Sequence, residues 1–245
     1  DKRAESARPL HSISRELLNF CRRNQRADYG RLAYKIVQQA GVKSEILRPF
    51  ADFSPEENSS VQSQPAVETA RTGIFVDHEN LVKSLQRVAM ERGQATVSTG
   101  FQPEWLSEAL NDLVREAEKR TSKIGYRIAV SFWDRQAEAR YRSAYRQHNF
   151  DLLQPEDVKM ENAVDFKVAD EVRRAQLNAL TEGSQLKNVI IVSGDGDFVH
   201  MAKSLVDEGV HVQIWGGSKD TSRHYAGIIG EANLVMIDDV CGLKR

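Results

Sequence analysis

The sequence predicts a doubly wound α/β domain, a parallel sheet flanked by helices, preceded by a small helical segment. Two observations predict it. From Gly73 onward, short apolar runs alternate with longer amphipathic stretches, and each run is continuous and bounded by Gly, Asp or Asn. A strand buried on both faces requires an unbroken apolar run, and parallel strands require helical crossovers between them.

In chain order the runs are Ile74-Phe75-Val76, Ile128-Ala129-Val130 with Phe132, Val189 through Val192, Val210 through Ile214 and Leu234 through Ile237. Helices are expected near 103–119, 135–148, 165–180 and 197–208, where apolar residues recur at three- and four-residue spacing. Residues 1–50 read as a helical accessory module. There Leu10, Ile13, Leu17 and Leu18, then Leu32, Ile36 and Val37, carry the same period, with Gly30 and Gly41 as punctuation. Residues 51–72, rich in Ser and Pro, read as a linker, leaving 73–245 as the main domain.

The 245 residues carry 34 Lys and Arg against 35 Asp and Glu, a formal net charge of -1, which excludes a uniformly basic nucleic-acid coat. The charge is unevenly spread. Residues 1–48 hold 11 basic and 5 acidic residues, whereas residues 73–245 hold 22 and 26. The basic front piece offers either a phosphate-facing surface or an ordinary solvated helix face, and it is where a second copy of the chain or a protein partner is expected to dock. Cys21 and Cys241 stand far apart in no C-x-x-C arrangement, so neither a zinc site nor a disulfide framework is expected. No apolar run is long enough to span a membrane and the first residues lack a signal-peptide core, so a cytoplasmic protein is expected. A chain starting at Asp1 without Met is expected to be trimmed.

In an open parallel sheet, ligands bind beyond the C-terminal ends of the strands. The first run is followed by Asp77-His78-Glu79-Asn80, and the run ending at Val192 by Ser193-Gly194-Asp195-Gly196-Asp197-Phe198. Asp165 starts a helix whose Val164, Val168 and Val172 define a buried stripe, so it is a further candidate for the same crevice. Four carboxylates gathered together repel one another and need a compensating cation. Mg²⁺ or Mn²⁺ suits oxygen donors, and one or two such ions would activate water and stabilise the leaving oxygen in phosphodiester hydrolysis. Gly194 and Gly196 would keep that turn open.

Each residue also has a plainer reading. Asp165, Asp195 and Asp197 are also suited to capping helices, and Asn80 to capping, orienting Asp77 or binding substrate. Asp170, five residues beyond Asp165 and about 140° around the helix, is either an accessory ligand or an exposed charge. His78 and His200 are candidate bases, although hydrolysis by a metal-activated water needs neither. Trp133 and Trp215 either stack a base or pack the core.

These blocks, Ile74 through Leu81, Val164-Asp165 through Asp170 and Val192 through Phe198, resemble a NYN domain, in the LabA-like branch of the PIN-like nuclease superfamily. The resemblance spans roughly residues 73–240. It implies a Rossmann-like (PIN-like) sheet and a metal-dependent ribonuclease site at Asp77, Asp165, Asp195 and Asp197, with Asn80 and Asp170 as accessory matches. One departure is evident: where many relatives carry Lys-Gly before the Val-Asp pair, Glu161-Asn162-Ala163 stands here, with Lys159 upstream.

The function expected is a metal-dependent endoribonuclease acting on RNA, single-stranded RNA foremost. Asp77, Asp165, Asp195 and Asp197 would hold Mg²⁺ or Mn²⁺ with Asp170 beside them, and Asn80, Lys159, Arg135 and Arg140 would bind substrate. Arg142, Arg146 and Lys203 are further candidates for phosphate contacts, each equally suited to an ordinary helix surface. The alternative is a non-catalytic RNA- or nucleotide-binding regulatory module of the same fold. A haloacid-dehalogenase-type phosphatase fits the Gly194 to Asp197 turn but not Glu79 two residues after Asp77, and no G-x-G-x-x-G follows the first strand to hold a dinucleotide.

Overall fold

The computed structural model describes residues 70–96, 101–121, 123–157 and 160–242. The expectations for the helical module at 1–50 and for residues 51–69 of the linker lie outside the described residues. Six parallel strands form one sheet in the order β3-β2-β1-β4-β5-β6. They are β1 (Ala70–Asp77), β2 (Ile124–Val130), β3 (Asp151–Leu153), β4 (Gln185–Val192), β5 (His211–Gly216) and β6 (Leu234–Met236). The helices are α1 (His78–Glu91), α2 (Pro103–Arg120), α3 (Gln136–Ala139), α4 (Arg142–Gln147), α5 (Ala163–Thr181), α6 (Val199–Asp207), α7 (Ala226–Ile229) and α8 (Ile237–Val240).

Strand periodicity sorts the core into two layers. Ile74, Val76, Ile190 and Val192 pack against Leu81, Leu85, Leu106 and Leu110 of α1 and α2. Their neighbours Phe75, Val189 and Ile191 pack on the other face against Val168, Val172 and Ala175 of α5 and Ala202 and Leu205 of α6. Successive side chains of a strand point to opposite faces, so a strand covered on both sides must be apolar throughout. This is why the runs read as unbroken.

Two expectations need correction, and two elements come in addition. β1 begins at Ala70, which pairs with Gln185, so residues 70–72 belong to the sheet rather than the linker. Residues 78–91 form α1, an element the run of acidic and polar residues after Val76 conceals. The helix expected at 135–148 is two short helices, because Tyr141 turns inward at the break and donates its hydroxyl to the Phe101 carbonyl at 2.7 Å. β3 is an edge strand of three residues, too short to carry a periodic pattern.

Chain order reverses at the pair β1 and β4: from β1 the chain moves outward through β2 to β3, then returns to β4 and continues to β6. A crevice opens beyond the strand ends at such a switch point. Asp77 ends β1, and Ser193 through Asp197 follow β4, so the two most acidic blocks flank it.

Candidate active site

Asp77 is both the last residue of β1 and the cap of α1. Its side chain is 2% exposed and accepts hydrogen bonds from the Asn80 backbone N–H at 3.2 Å, the Asn80 Nδ2 at 2.6 Å and the Ser193 hydroxyl at 3.4 Å. Burial pushes its pKa up, the Asn80 bonds oppose this, and the charge of Asp195 adds to the rise. Asn80 therefore orients Asp77 and does not itself cap α1.

Asp165 is the third residue of α5, which follows Asn162 in left-handed conformation. It lies three residues before Val168 and seven before Val172, so it continues the buried stripe toward the crevice. Phe75 and Asp77 share the sheet face that α5 covers. Asp165 is half-buried, and its pKa rises to about 7 through burial and then through the charges of Asp77, Asp195, Asp197 and Glu79. Glu79 thus belongs to the same acidic field, a fifth carboxylate that the sequence places next to the site without marking it.

Asp195 caps the 3₁₀ turn Gly196–Phe198 by accepting the Asp197 N–H at 3.2 Å, and its own N–H donates to the Ser193 hydroxyl at 3.2 Å. Asp197 is exposed. Tyr225 is buried beside this turn and donates its hydroxyl to the Asp195 carbonyl. Burial and the charges of Asp195, Asp197 and Asp165 push its pKa up. Tyr225 is a residue sequence reasoning misses, because nothing around Ser222-Arg223-His224-Tyr225 marks it before the fold brings it to Asp195.

Gly194 is shaped by packing rather than by the acidic cluster. A Cβ there would lie 3.0 Å from the backbone of Asp220 and Thr221, and the Gly194 carbonyl accepts the Ser222 N–H at 2.9 Å. Asp220 in turn accepts from the Ser84 hydroxyl at 3.1 Å and pairs with Arg87, fastening the 217–222 loop to α1.

The other expected residues are placed differently. Asp170 is exposed and pairs with Arg174 at 3.2 Å; it is apart from the cluster because five helical residues turn it to another face. Arg135 is exposed, with its guanidinium 3.9 Å from the centre of the Phe132 ring and 4.0 Å from Glu79, which keeps it at the crevice margin. Arg140 lies over the Tyr141 ring and donates to its hydroxyl at 2.6 Å. Arg142 donates to the Trp133 carbonyl, Arg146 and Lys203 are exposed, and Lys159 lies outside the described residues. Trp133 and Trp215 are core residues, 3% and 1% exposed. His78 is fully buried among the rings of Trp133, Tyr141 and Tyr145; its Nε2 is 2.7 Å from Glu138 and its Nδ1 3.1 Å from the Tyr145 hydroxyl. That makes it a strut beneath Asp77, whereas His200 is exposed on α6.

The fit to a divalent ion is one of kind and charge. Among the described residues no Lys or Arg forms an ion pair with Asp77, Asp165, Asp195 or Asp197; the charge of Lys83 lowers the Asp77 pKa, while the charges of Asp77, Asp195, Asp197 and Glu79 raise that of Asp165. Hard cations take such oxygen donors, and Mg²⁺ typically uses one or two carboxylates and keeps several waters. Among the described residues no three His, Cys, Asp or Glu side chains stand close enough to hold an ion between them. The expected ring of five ligands is therefore not assembled in this arrangement.

A family model described as NYN domain matches residues 71–226. The chain belongs to the NYN-domain family. The NYN domain is a PIN-like nuclease fold, and the matched span runs from β1 to the start of α7, containing all the carboxylates of the cluster. No curated protein matches the chain. Among solved structures, it is similar to a protein of unknown function from Vibrio parahaemolyticus, with 16% identity and a TM-score of 0.51, over 72% of this chain and 98% of that one. This likeness concerns the fold alone.

Proposed function

We propose that this NYN-domain protein is a metal-dependent endoribonuclease that hydrolyses RNA phosphodiester bonds at Asp77, Asp165, Asp195 and Asp197. The observation that carries the reading is that the fold gathers Asp77 at the end of β1, Asp195 and Asp197 after β4 and Asp165 at the start of α5, close enough for the charges of the first three to add to burial in raising the pKa of Asp165. The family supports the substrate class, since NYN domains bind RNA and are in general ribonucleases.

A bound Mg²⁺ or Mn²⁺ would supply charge stabilisation and an acidified water. The protein's own part is positional. Asn80 and Ser193 fix the Asp77 carboxylate, the 3₁₀ turn and Tyr225 fix Asp195, and helix α5 delivers Asp165 from the opposite element. Arg135 at the crevice margin is suited to a phosphate.

The test is cleavage of single-stranded RNA by purified protein with Mn²⁺ or Mg²⁺, against the Asp195→Asn variant. Metal-dependent cleavage that the variant abolishes is expected; undiminished cleavage would place the activity elsewhere. A second reading, a non-catalytic RNA- or nucleotide-binding module, draws on the absence of three chelating side chains in close array among the described residues. Tight RNA binding without metal-dependent cleavage would favour it.

A further inference from the structure

Two cations from separate elements converge on one carboxylate at the mouth of the crevice. Glu79 lies in the first turn of α1, two residues beyond Asp77, and its charge reaches Asp165 on α5. Its Oε2 is 4.0 Å from the Lys83 ammonium, one turn further along the same helix. Its Oε1 is 4.0 Å from the guanidinium of Arg135, in the loop that follows β2. Strand register brings that loop here, because Val130 at the end of β2 pairs with Asp77 at the end of β1. Helical side chains lean toward the N-terminus, so Lys83 reaches back toward the crevice, where its charge also acts on Asp77. Arg135 is steadied by the Phe132 ring, whose centre is 3.9 Å from the guanidinium.

The arrangement is suited to an exchange of anions. Lys83 and Arg135 are 70% and 53% exposed, whereas Glu79 between them is 33% exposed, so both cations face solvent while the carboxylate occupies the space they share. Neither pair is closed. A charge-assisted hydrogen bond of this kind shortens to about 2.7–2.9 Å, as Arg173 does with Glu208 at 2.6 Å and Lys219 with Glu91 at 2.7 Å elsewhere on this surface. An exposed pair at the limit of contact shifts an equilibrium by about fivefold or less. A phosphate brings more charge and oxygens that fit the guanidinium fork, so it can displace Glu79 from both cations.

We propose that Lys83 and Arg135 form a phosphate subsite at the mouth of the carboxylate crevice, in which Glu79 stands in the place of the phosphate until an RNA strand displaces it. The inference rests on the ribonuclease reading and adds to it a grip on a phosphate beside the one attacked. Lys83 supplies the second cation of that grip, and Glu79 is an internal competitor for it. Removing the competitor should therefore tighten binding, while removing either cation should weaken it.

The experiment measures binding of a short labelled single-stranded oligoribonucleotide, over a range of salt concentrations, to the full chain carrying Asp195→Asn so that no cleavage intervenes. Lys83→Gln and Arg135→Gln are each expected to flatten the dependence of log affinity on log salt by about 0.7, one phosphate contact. Glu79→Gln, which keeps the size of the side chain, is expected to tighten binding about three- to tenfold at low salt, and to give no gain once Lys83 and Arg135 are both Gln. An unchanged slope in either cation variant, no gain in Glu79→Gln, or no RNA binding by the parent would overturn the inference. So would a gain from Glu79→Gln that persists without the two cations, since general relief of repulsion would then account for it. If Asp195→Asn abolishes cleavage while the slopes stay unchanged, the ribonuclease reading stands and this inference fails. If no metal supports cleavage yet the slopes and the Glu79→Gln gain are as expected, the reverse holds.

Discussion

Asp165 on α5 holds its proton to about pH 7 because it is half-buried and because Asp77, at the end of β1, places a second carboxylate opposite it. An aspartate free of such surroundings titrates at 3.8, so the folded protein binds this proton more tightly than the unfolded chain does. The contribution to stability is complete below about pH 3.8 and is lost as pH rises through about 7. Asp165→Asn, which carries no charge at any pH, is expected to melt a few degrees above the wild type at about pH 8.5 and to lose that advantage near pH 4. Solvent screening of this half-exposed group holds the gain to about 1–2 kcal/mol. Thermal melts at the two pH values check it, and a variant less stable than wild type at high pH would count against the crowding.

A cation entering the crevice would relieve the same repulsion. Added Mn²⁺ or Mg²⁺ is expected to raise the melting temperature of the wild type at neutral pH, by about 2.7 kcal/mol of stability at a hundredfold excess over Kd. The increment should shrink sharply in Asp77→Asn and Asp165→Asn. Equal stabilisation of all three proteins in calorimetric scans would mean that the ion binds elsewhere.

Gly194→Ala is expected to damage the site through its frame. The new methyl group would lie 3.0 Å from the Asp220 carbonyl and the Thr221 Cα, and it would push the 217–222 loop from the residue next to Asp195. Overpacking of this kind costs about 1–3 kcal/mol. Denaturant unfolding should register the loss, and cleavage should fall further than stability alone would explain. Gly183→Ala, at a positive φ of 70° far from the crevice, serves as a comparison that strains the backbone and spares the site.

His78 underlies Asp77 and meets both Glu138 and Tyr145. The bond to His78 draws the Glu138 pKa down, so that bond stabilises the fold at neutral pH and is lost as pH falls through the lowered Glu138 value. His78→Leu removes both partners' bonds and leaves the fully buried Tyr145 hydroxyl without its contact, a loss of about 2–4 kcal/mol. Urea midpoints should show it, together with a weakened acid dependence. A midpoint within error of the wild type would show the strut to be dispensable.

Much of this was legible in the residues. Asp77, Asp195 and Asp197 announce themselves because each follows an unbroken apolar run, and strand ends are where an open parallel sheet presents its crevice. The long helix α5 declares itself through Val164, Val168 and Val172. Helix α1 escaped because His78-Glu79-Asn80 hides its first turn, and the break at Tyr141 escaped because a buried hydroxyl bonded to Phe101 leaves no periodic trace. Tyr225 and Glu79 escaped for the same reason: their place near Asp195 and Asp165 depends on elements far apart in sequence.

The sequence by itself determined the sheet, its parallel character and the strand ends where carboxylates gather, since these follow from local periodicity and from the burial each strand must accept. Only the tertiary structure decided which carboxylates act on one another. Asp165 joins Asp77 because α5 covers the face that Phe75 and Asp77 share, while Asp170, on the same helix, is turned outward to Arg174. Charge interaction falls with distance through space and takes no account of separation along the chain, so the proton affinity of Asp165 is a property of the packed sheet and helix together.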